Sequence, residues 1–267
     1  MLSIFTYDFM IRAFIAGLTI GIVAPLIGVF LVAKRYALIA DSLAHVSLAG
    51  VALALLLGIN PLLGALAIAV IVALIIERLR AGGKLSGEVA LAMFLSSGLA
   101  IAVVLIGLAK RIHVDLFAYL FGSITTVQAA DLWIIVPLGV VVAGIILVLY
   151  KELAYLTFDD ESARVSGLPT RFLGQLLIVL AAVVVVLALR IVGGLLIGAL
   201  TVIPVAAALQ VSRSLKSTLV WAVIFGLLAV IIGLFAAFYL NLAAGGAIVI
   251  VALAIFLTTV LWRSLPA

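Results

Sequence analysis

The chain has 267 residues, of which 69% are hydrophobic and 9% charged, with a formal net charge of +5 and no cysteine. A soluble domain carries about 25% charged residues, so a water-soluble globule is excluded, as are disulfides and thiolate metal ligands. The apolar runs are about 18–24 residues long, the length of helices crossing a ~30 Å hydrocarbon core, and they lack the period-2 alternation of an outer-membrane barrel strand.

Nine apolar segments follow one another: 10–32, 38–58, 61–79, 88–108, 131–150, 172–190, 193–211, 218–240 and 245–262. Merging two of the shorter ones leaves eight spans. The first is too long for a cleavable signal peptide and runs into Lys34-Arg35, a stop-transfer pattern. It also carries Gly17 and Gly21, a spacing that lets two membrane helices approach closely.

The second segment holds Asp41 and His45. A carboxylate at the centre of a membrane helix costs roughly 3 kcal/mol on insertion scales, so it is usually kept for a function. Spaced i, i+4, the two side chains share one helix face. One offers oxygen and the other nitrogen, a pair suited to Zn²⁺, Mn²⁺ or Fe²⁺, with Ser42 as a supplementary donor. Taking Arg35 as the membrane edge, a rise of ~1.5 Å per residue puts Asp41 about 9 Å and His45 about 15 Å deep, the latter near the midplane. The competing reading is a polar pair that only fixes helix packing.

Two joints are longer than a turn. Residues 109–130 are amphipathic and too polar to span, which predicts a short helix along a membrane surface. Asp115 caps it, Tyr119 and Gly122 follow, and His113 reads as a surface residue. In residues 151–171, Asp159 and Asp160 are N-cap candidates, with Glu161 in the first turn. Gly167 and Pro169 form a stop signal, so 159–166 reads as a short helix between spans. The later segment 193–211 carries Gly193, Gly194, Gly198 and Pro204, which suit close helix packing or a gate.

Basic residues gather at alternate joints: Lys34-Arg35, then Arg78, Arg80 and Lys84, then Lys151, Arg164 and Arg171, then Arg213 and Lys216, then Arg263. The positive-inside rule places these joints in the cytoplasm, with the N-terminus outside and the C-terminus inside. The net charge therefore reports topology and calls for no nucleic-acid partner.

Four ordered motifs resemble the permease subunits of ABC importers for zinc, manganese and iron. They are Lys34-Arg35 with Ala40-Asp41-Ser42-Leu43-Ala44-His45; Val114-Asp115-Leu116-Phe117-Ala118-Tyr119-Leu120-Phe121-Gly122; Phe158-Asp159-Asp160-Glu161-Ser162-Ala163 through Gly167-Leu168-Pro169; and Val192-Gly193-Gly194-Leu195-Leu196 through Ile203-Pro204. The outer-loop motif is most similar to the zinc branch. Ala92-Met93-Phe94-Leu95 departs from it, because some zinc permeases carry a further His there.

The resemblance implies an all-α polytopic transmembrane bundle, one permease domain over 1–267, in the cell (inner or cytoplasmic) membrane. It implies a homodimer, a cytoplasmic ATP-binding subunit, and an extracytoplasmic metal-binding protein that delivers Zn²⁺ or Mn²⁺. Residues Phe158, Asp159, Asp160, Glu161, Ala163, Gly167 and Pro169 would couple to the ATPase. No ion is bound permanently. The chain carries no Gly-rich phosphate loop, so it is not itself an enzyme and ATP hydrolysis belongs to another chain. Around a two-fold axis, two copies would offer two carboxylates and two imidazoles. A self-sufficient ion-coupled carrier is the alternative; it predicts an internal repeat, and no convincing one is visible. An intramembrane metalloenzyme would need a pattern such as His-Glu-x-x-His, which is absent.

Overall fold

The computed structural model describes residues 6–81, 87–108 and 116–264. Among these, the chain forms α1 (Asp8–Ala33), α2 (Ile39–Leu57), α3 (Pro61–Ala81), α4 (Gly87–Leu108), α5 (Leu116–Phe121), α6 (Ala129–Val148), α7 (Tyr150–Phe158), α8 (Asp160–Val165), α9 (Thr170–Ala188), α10 (Ile197–Val211), α11 (Leu215–Leu240) and α12 (Ala244–Ser264). Asp115, His113 and Lys84 lie outside the described residues.

Eight of these helices (α1, α2, α3, α4, α6, α9, α11 and α12) are long and apolar enough to cross a membrane. The segment expected over 193–211 differs. Its helix, α10, begins only at Ile197 and has 15 residues, about 22 Å at the ~1.5 Å rise of an α-helix. Residues 189–196 before it turn irregularly, with Gly193 at φ +84°, a conformation for which glycine has no steric penalty. Irregular backbone at membrane depth survives only where protein satisfies its polar groups. Here the Gly194 and Leu195 N–H groups donate to the Tyr119 and Leu120 carbonyls at 2.8 and 3.0 Å, and Ser123 N–H donates back to Arg190 O at 3.2 Å.

The joints still alternate between two ends. Lys34, Arg35, Arg80 and Asp160 border one cleft, Phe158 and Arg213 border another beside Ala33, and Arg263 donates to Gln210 at 3.1 Å. These basic joints gather at one end. At the other, Gly122, Gly193 and Gly245 bring three backbones into direct contact. We call the two the basic end and the glycine end.

α1, α2 and α9 are mostly buried, whereas α4, α6 and α12 turn most of their apolar surface outward. In a bilayer that outward surface faces lipid tails, and small residues set how closely helices pack. Gly17 and Gly21 of α1 accordingly face Val230, Leu234 and Gly226 of α11.

Both long joints hold a short helix, and the second holds one helix more than expected. In the 109–130 joint, the described helix is six residues, Leu116–Phe121. Gln128 and Asp131 then form a capping box that starts α6. In the 151–171 joint, a further helix, α7, precedes α8 after a break at Leu149, with Leu153 and Leu156 buried. The helix expected over 159–166 is α8. Asp159 accepts Ser162 N–H at 3.0 Å. At the other end Gly167, at φ +84°, closes it with Gly167 N–H to Arg164 O and Leu168 N–H to Ala163 O, each 3.1 Å, the two bonds of a Schellman motif.

Gly122 combines φ +73° with a backbone contact to Ile191 that leaves no room for a Cβ. Gly122→Ala is therefore expected to destabilise the protein by about 2–3 kcal/mol through overpacking and strain. Thermal unfolding in detergent, beside Gly167→Ala in open space, checks this: the Gly122 variant should lose markedly more.

Candidate metal site

The corner between α1 and α2 sets where the site begins. Arg35 adopts φ +60°, Tyr36 N–H donates to Leu31 O at 2.7 Å, and the Tyr36 carbonyl accepts Ile39 N–H at 3.0 Å. α2 starts there, so Asp41 lies in its first turn and not mid-helix. His45 follows one turn on, and both are half-buried.

His45 is held by α4. Its Nδ1 lies 3.1 Å from the Leu95 carbonyl oxygen. A carbonyl only accepts, so Nδ1 carries the proton, and in the neutral ring Nε2 is left with a free lone pair. This outer-sphere hydrogen bond is the arrangement that orients an imidazole as a metal ligand. Leu95 belongs to the stretch in which a further His was missing; its backbone contributes instead.

Asp41 faces α10. Its carboxylate rests directly on Gly198, where a Cβ would overlap both oxygens. Among the described residues no hydrogen bond or ion pair to this carboxylate is found. Asp41 lies in the first turn of α2 and against the first turn of α10. Two helix N-termini thus present partial positive charge to one anion, a use of broken helices familiar in membrane transport proteins.

Ser42 turns towards α4. Its fully buried hydroxyl lies 3.1 Å from Leu38 O and 3.0 Å from Leu91 O, and it ties α2 to α4. Among the described residues no group of three or more His, Asp or Glu side chains comes together. One chain therefore brings a carboxylate and an imidazole.

Towards the glycine end the site is roofed. Leu48 and Ala49, one turn beyond His45, pack with Ala102, Tyr119 and Leu120, and Gly194 lies against Leu48. Tyr119, Gly122, Gly193 and Gly194, which the sequence divides between an outer loop and a gate, form this one roof. Pro204 is elsewhere, buried within α10.

Two residues that sequence reasoning did not select hold the roof. The Arg190 guanidinium lies 5.2 Å from the Tyr119 ring centre, and its Nε is 3.5 Å from Asp131 Oδ2. Nε makes no hydrogen bond, so the second contact is one of charge. Burial pushes the Tyr119 phenol up from its ordinary pKa, and the Arg190 charge opposes this. The available signal was two opposite charges at the margins of otherwise apolar segments.

At the basic end, α8 turns Ala163 into the bundle and leaves Asp159, Asp160 and Glu161 exposed. Ser162, through its hydroxyl and its N–H, holds the Asp159 carboxyl below the usual range. Tyr155 and Ser166 hydroxyls, 3.1 Å apart, join α7 to α8. Phe158 and Val165 are 73% and 89% exposed, and Pro169 opens α9.

Comparison with known proteins gives matches over nearly the whole chain. The manganese import system permease protein ScaB of Streptococcus parasanguinis is 36% identical, over 94% of this chain and 89% of that protein. The high-affinity zinc uptake system membrane protein ZnuB of Haemophilus influenzae is 30% identical, over 96% and 98%. The structure of PsaBC from Streptococcus pneumoniae in complex with a Fab superposes with a TM-score of 0.87 at 35% identity, over 96% of this chain and 92% of that one. The model of the ABC 3 transport family matches residues 6–263, and the chain belongs to that family.

Proposed function

We propose that this chain is the membrane-spanning permease of an ATP-driven importer for Zn²⁺ or Mn²⁺, with Asp41 and His45 as its transient ion ligands. The observation that carries this reading is the state of the pair. An imidazole with its Nε2 lone pair free stands one helical turn from an unpaired carboxylate, inside a bundle whose relatives are metal permeases. Leaving polar groups so placed is costly in a membrane unless an ion uses them.

The donor set bears on the metal. A carboxylate oxygen and an imidazole nitrogen suit both ions, and neither is soft enough to select copper. Transition ions prefer four or more ligands, so two copies of the chain around a two-fold axis complete the set without further polar residues. The relatives' names include both metals, consistent with a site that accepts either.

The energy source is a separate cytoplasmic ATPase. α8 is too short to be stable alone in water, and its Val165, with Phe158 at the end of α7, is exposed where a partner surface would cover both. We place that surface in the ATPase, and the roof of Tyr119, Gly122, Gly193 and Gly194 at the outer side, where a delivery protein releases the ion. Family membership favours this over a self-sufficient carrier.

The test is reconstitution in liposomes with the partner ATPase and delivery protein. The expected result is uptake of Zn²⁺ or Mn²⁺ that requires ATP hydrolysis, from a complex holding two copies of this chain. Uptake by the permease alone, driven by a proton gradient, contradicts it.

A further inference from the structure

The basic end holds charged and aromatic groups that the ion site does not use. Glu77, near the end of α3, is only 5% exposed. Its carboxylate accepts from Arg80 Nε at 3.0 Å and Nη2 at 2.8 Å. It is also wedged against α9, since a methyl on Gly174 would lie 3.2 Å from Oε1. The Arg80 guanidinium lies 4.3 Å from the Tyr36 ring centre, and Lys34 Nζ is 6.0 Å from the same ring. Tyr36 is the corner residue whose carbonyl anchors the first N–H of α2. The start of the ion-bearing helix is thus clamped to the end of α3.

Asp160, the first residue of α8, borders the cleft shared by Lys34, Tyr36, Arg80 and Thr157. Its one ion pair among the described residues is with Arg164 on its own helix, at 3.5 Å, with both side chains more than half exposed. Such a pair contributes little. Asp160 therefore shares an open gap with three cations, Lys34, Arg80 and the more exposed Arg35. Opposite charges attract more strongly as a gap narrows and loses water.

We propose that Asp160 transmits movement of α8 to α2 by charge contact with Lys34 and Arg80 across this cleft, and that Glu77 and Tyr36 are positioning residues that tie Arg80 to the α1–α2 corner. The inference rests on the permease reading and specifies how an ATPase acting on α8 reaches Asp41. α8 itself packs on α7 and α9, and α9 packs on α2, so a packing route to the ion-bearing helix passes through a third helix. The charge contact supplies a direct one. Asp41 lies in the first turn after the clamped corner, so tilting that corner moves an ion ligand.

The experiment uses the complete complex in liposomes and reads ions taken up per ATP hydrolysed. Wild type is measured first; if it shows no ATP-driven uptake, the permease reading itself fails. Given a working wild type, Asp160→Lys and Lys34→Glu should each lower the ratio at least about fivefold, the low end of coupling between linked sites. The charge-swapped double variant should recover most of it. Loss of an ATPase docking contact at Asp160 would not be repaired by a change at Lys34, so absence of recovery in assembled complexes overturns the proposal. Where the charge variants fail to assemble, Tyr36→Leu decides. It keeps an apolar side chain and removes the ring face. A ratio lowered at least about threefold, with Zn²⁺ binding to the purified complex unchanged, supports the clamp; a wild-type ratio overturns it.

Discussion

Replacing His45 or Asp41 with Ala is expected to abolish metal uptake while the protein still inserts, folds and assembles. His45 gives the bundle one hydrogen bond, to Leu95 O, and such bonds in membrane proteins average about 0.6 kcal/mol. Asp41 gives none that is visible among the described residues. Their removal therefore costs little stability. At the proposed ion site, each would be one of the two strong ligands this chain brings. Losing even an outer-sphere partner costs about 10–100-fold in metal affinity, so loss of a ligand should cut uptake by more than about 100-fold. Uptake of radioactive or isotopically enriched metal, alongside size-exclusion and thermal unfolding profiles, checks both halves. Wild-type transport by His45→Ala removes the site assignment. Failure of both variants to fold returns the pair to a packing role.

Gly198→Ala is the second large effect, and it replaces neither proposed ligand. The added methyl would overlap the Asp41 carboxylate. The colliding atoms are the end of a side chain, so the carboxylate turns aside and the backbone stays. Within α10 alanine is a better helix former than glycine by about 1 kcal/mol. Stability should then be unchanged or slightly higher, while uptake falls by at least about tenfold, as when reacting groups are misplaced by an ångström. Uptake and melting temperature moving in opposite directions is the signature. A Gly198→Ala protein that transports normally shows that the position of Asp41 does not matter to the ion.

The parts of this molecule legible in its sequence are those governed by local physics. Spans α1 to α4 follow from hydropathy and length. α8 follows from Asp159 at one end and Gly167 at the other, because caps are set by neighbours in the chain. Asp41 and His45 stand out because polar groups within an apolar run are costly. What escaped depends on contacts between distant segments. The irregular stretch before Ile197 is as apolar as a helix, and its stability comes from bonds to Tyr119 and Leu120. Arg190 and Asp131 meet only in three dimensions, as do Glu77 and Arg80 with Tyr36. The break at Leu149 carries no proline or glycine to announce it. Ser42 read as a possible donor because it adjoins Asp41, but one residue along a helix turns the side chain by about 100°, here towards α4.

The central claim is that His45 binds the transported ion through a nitrogen of its ring. X-ray absorption at the zinc edge, on the complete complex trapped with Zn²⁺, tests it most directly. The account predicts oxygen and nitrogen neighbours at about 2.0–2.1 Å, with the outer-shell scattering pattern of imidazole, and loss of that pattern in His45→Gln. An imidazole signal of the same strength in the variant, or none in the wild type, would contradict it.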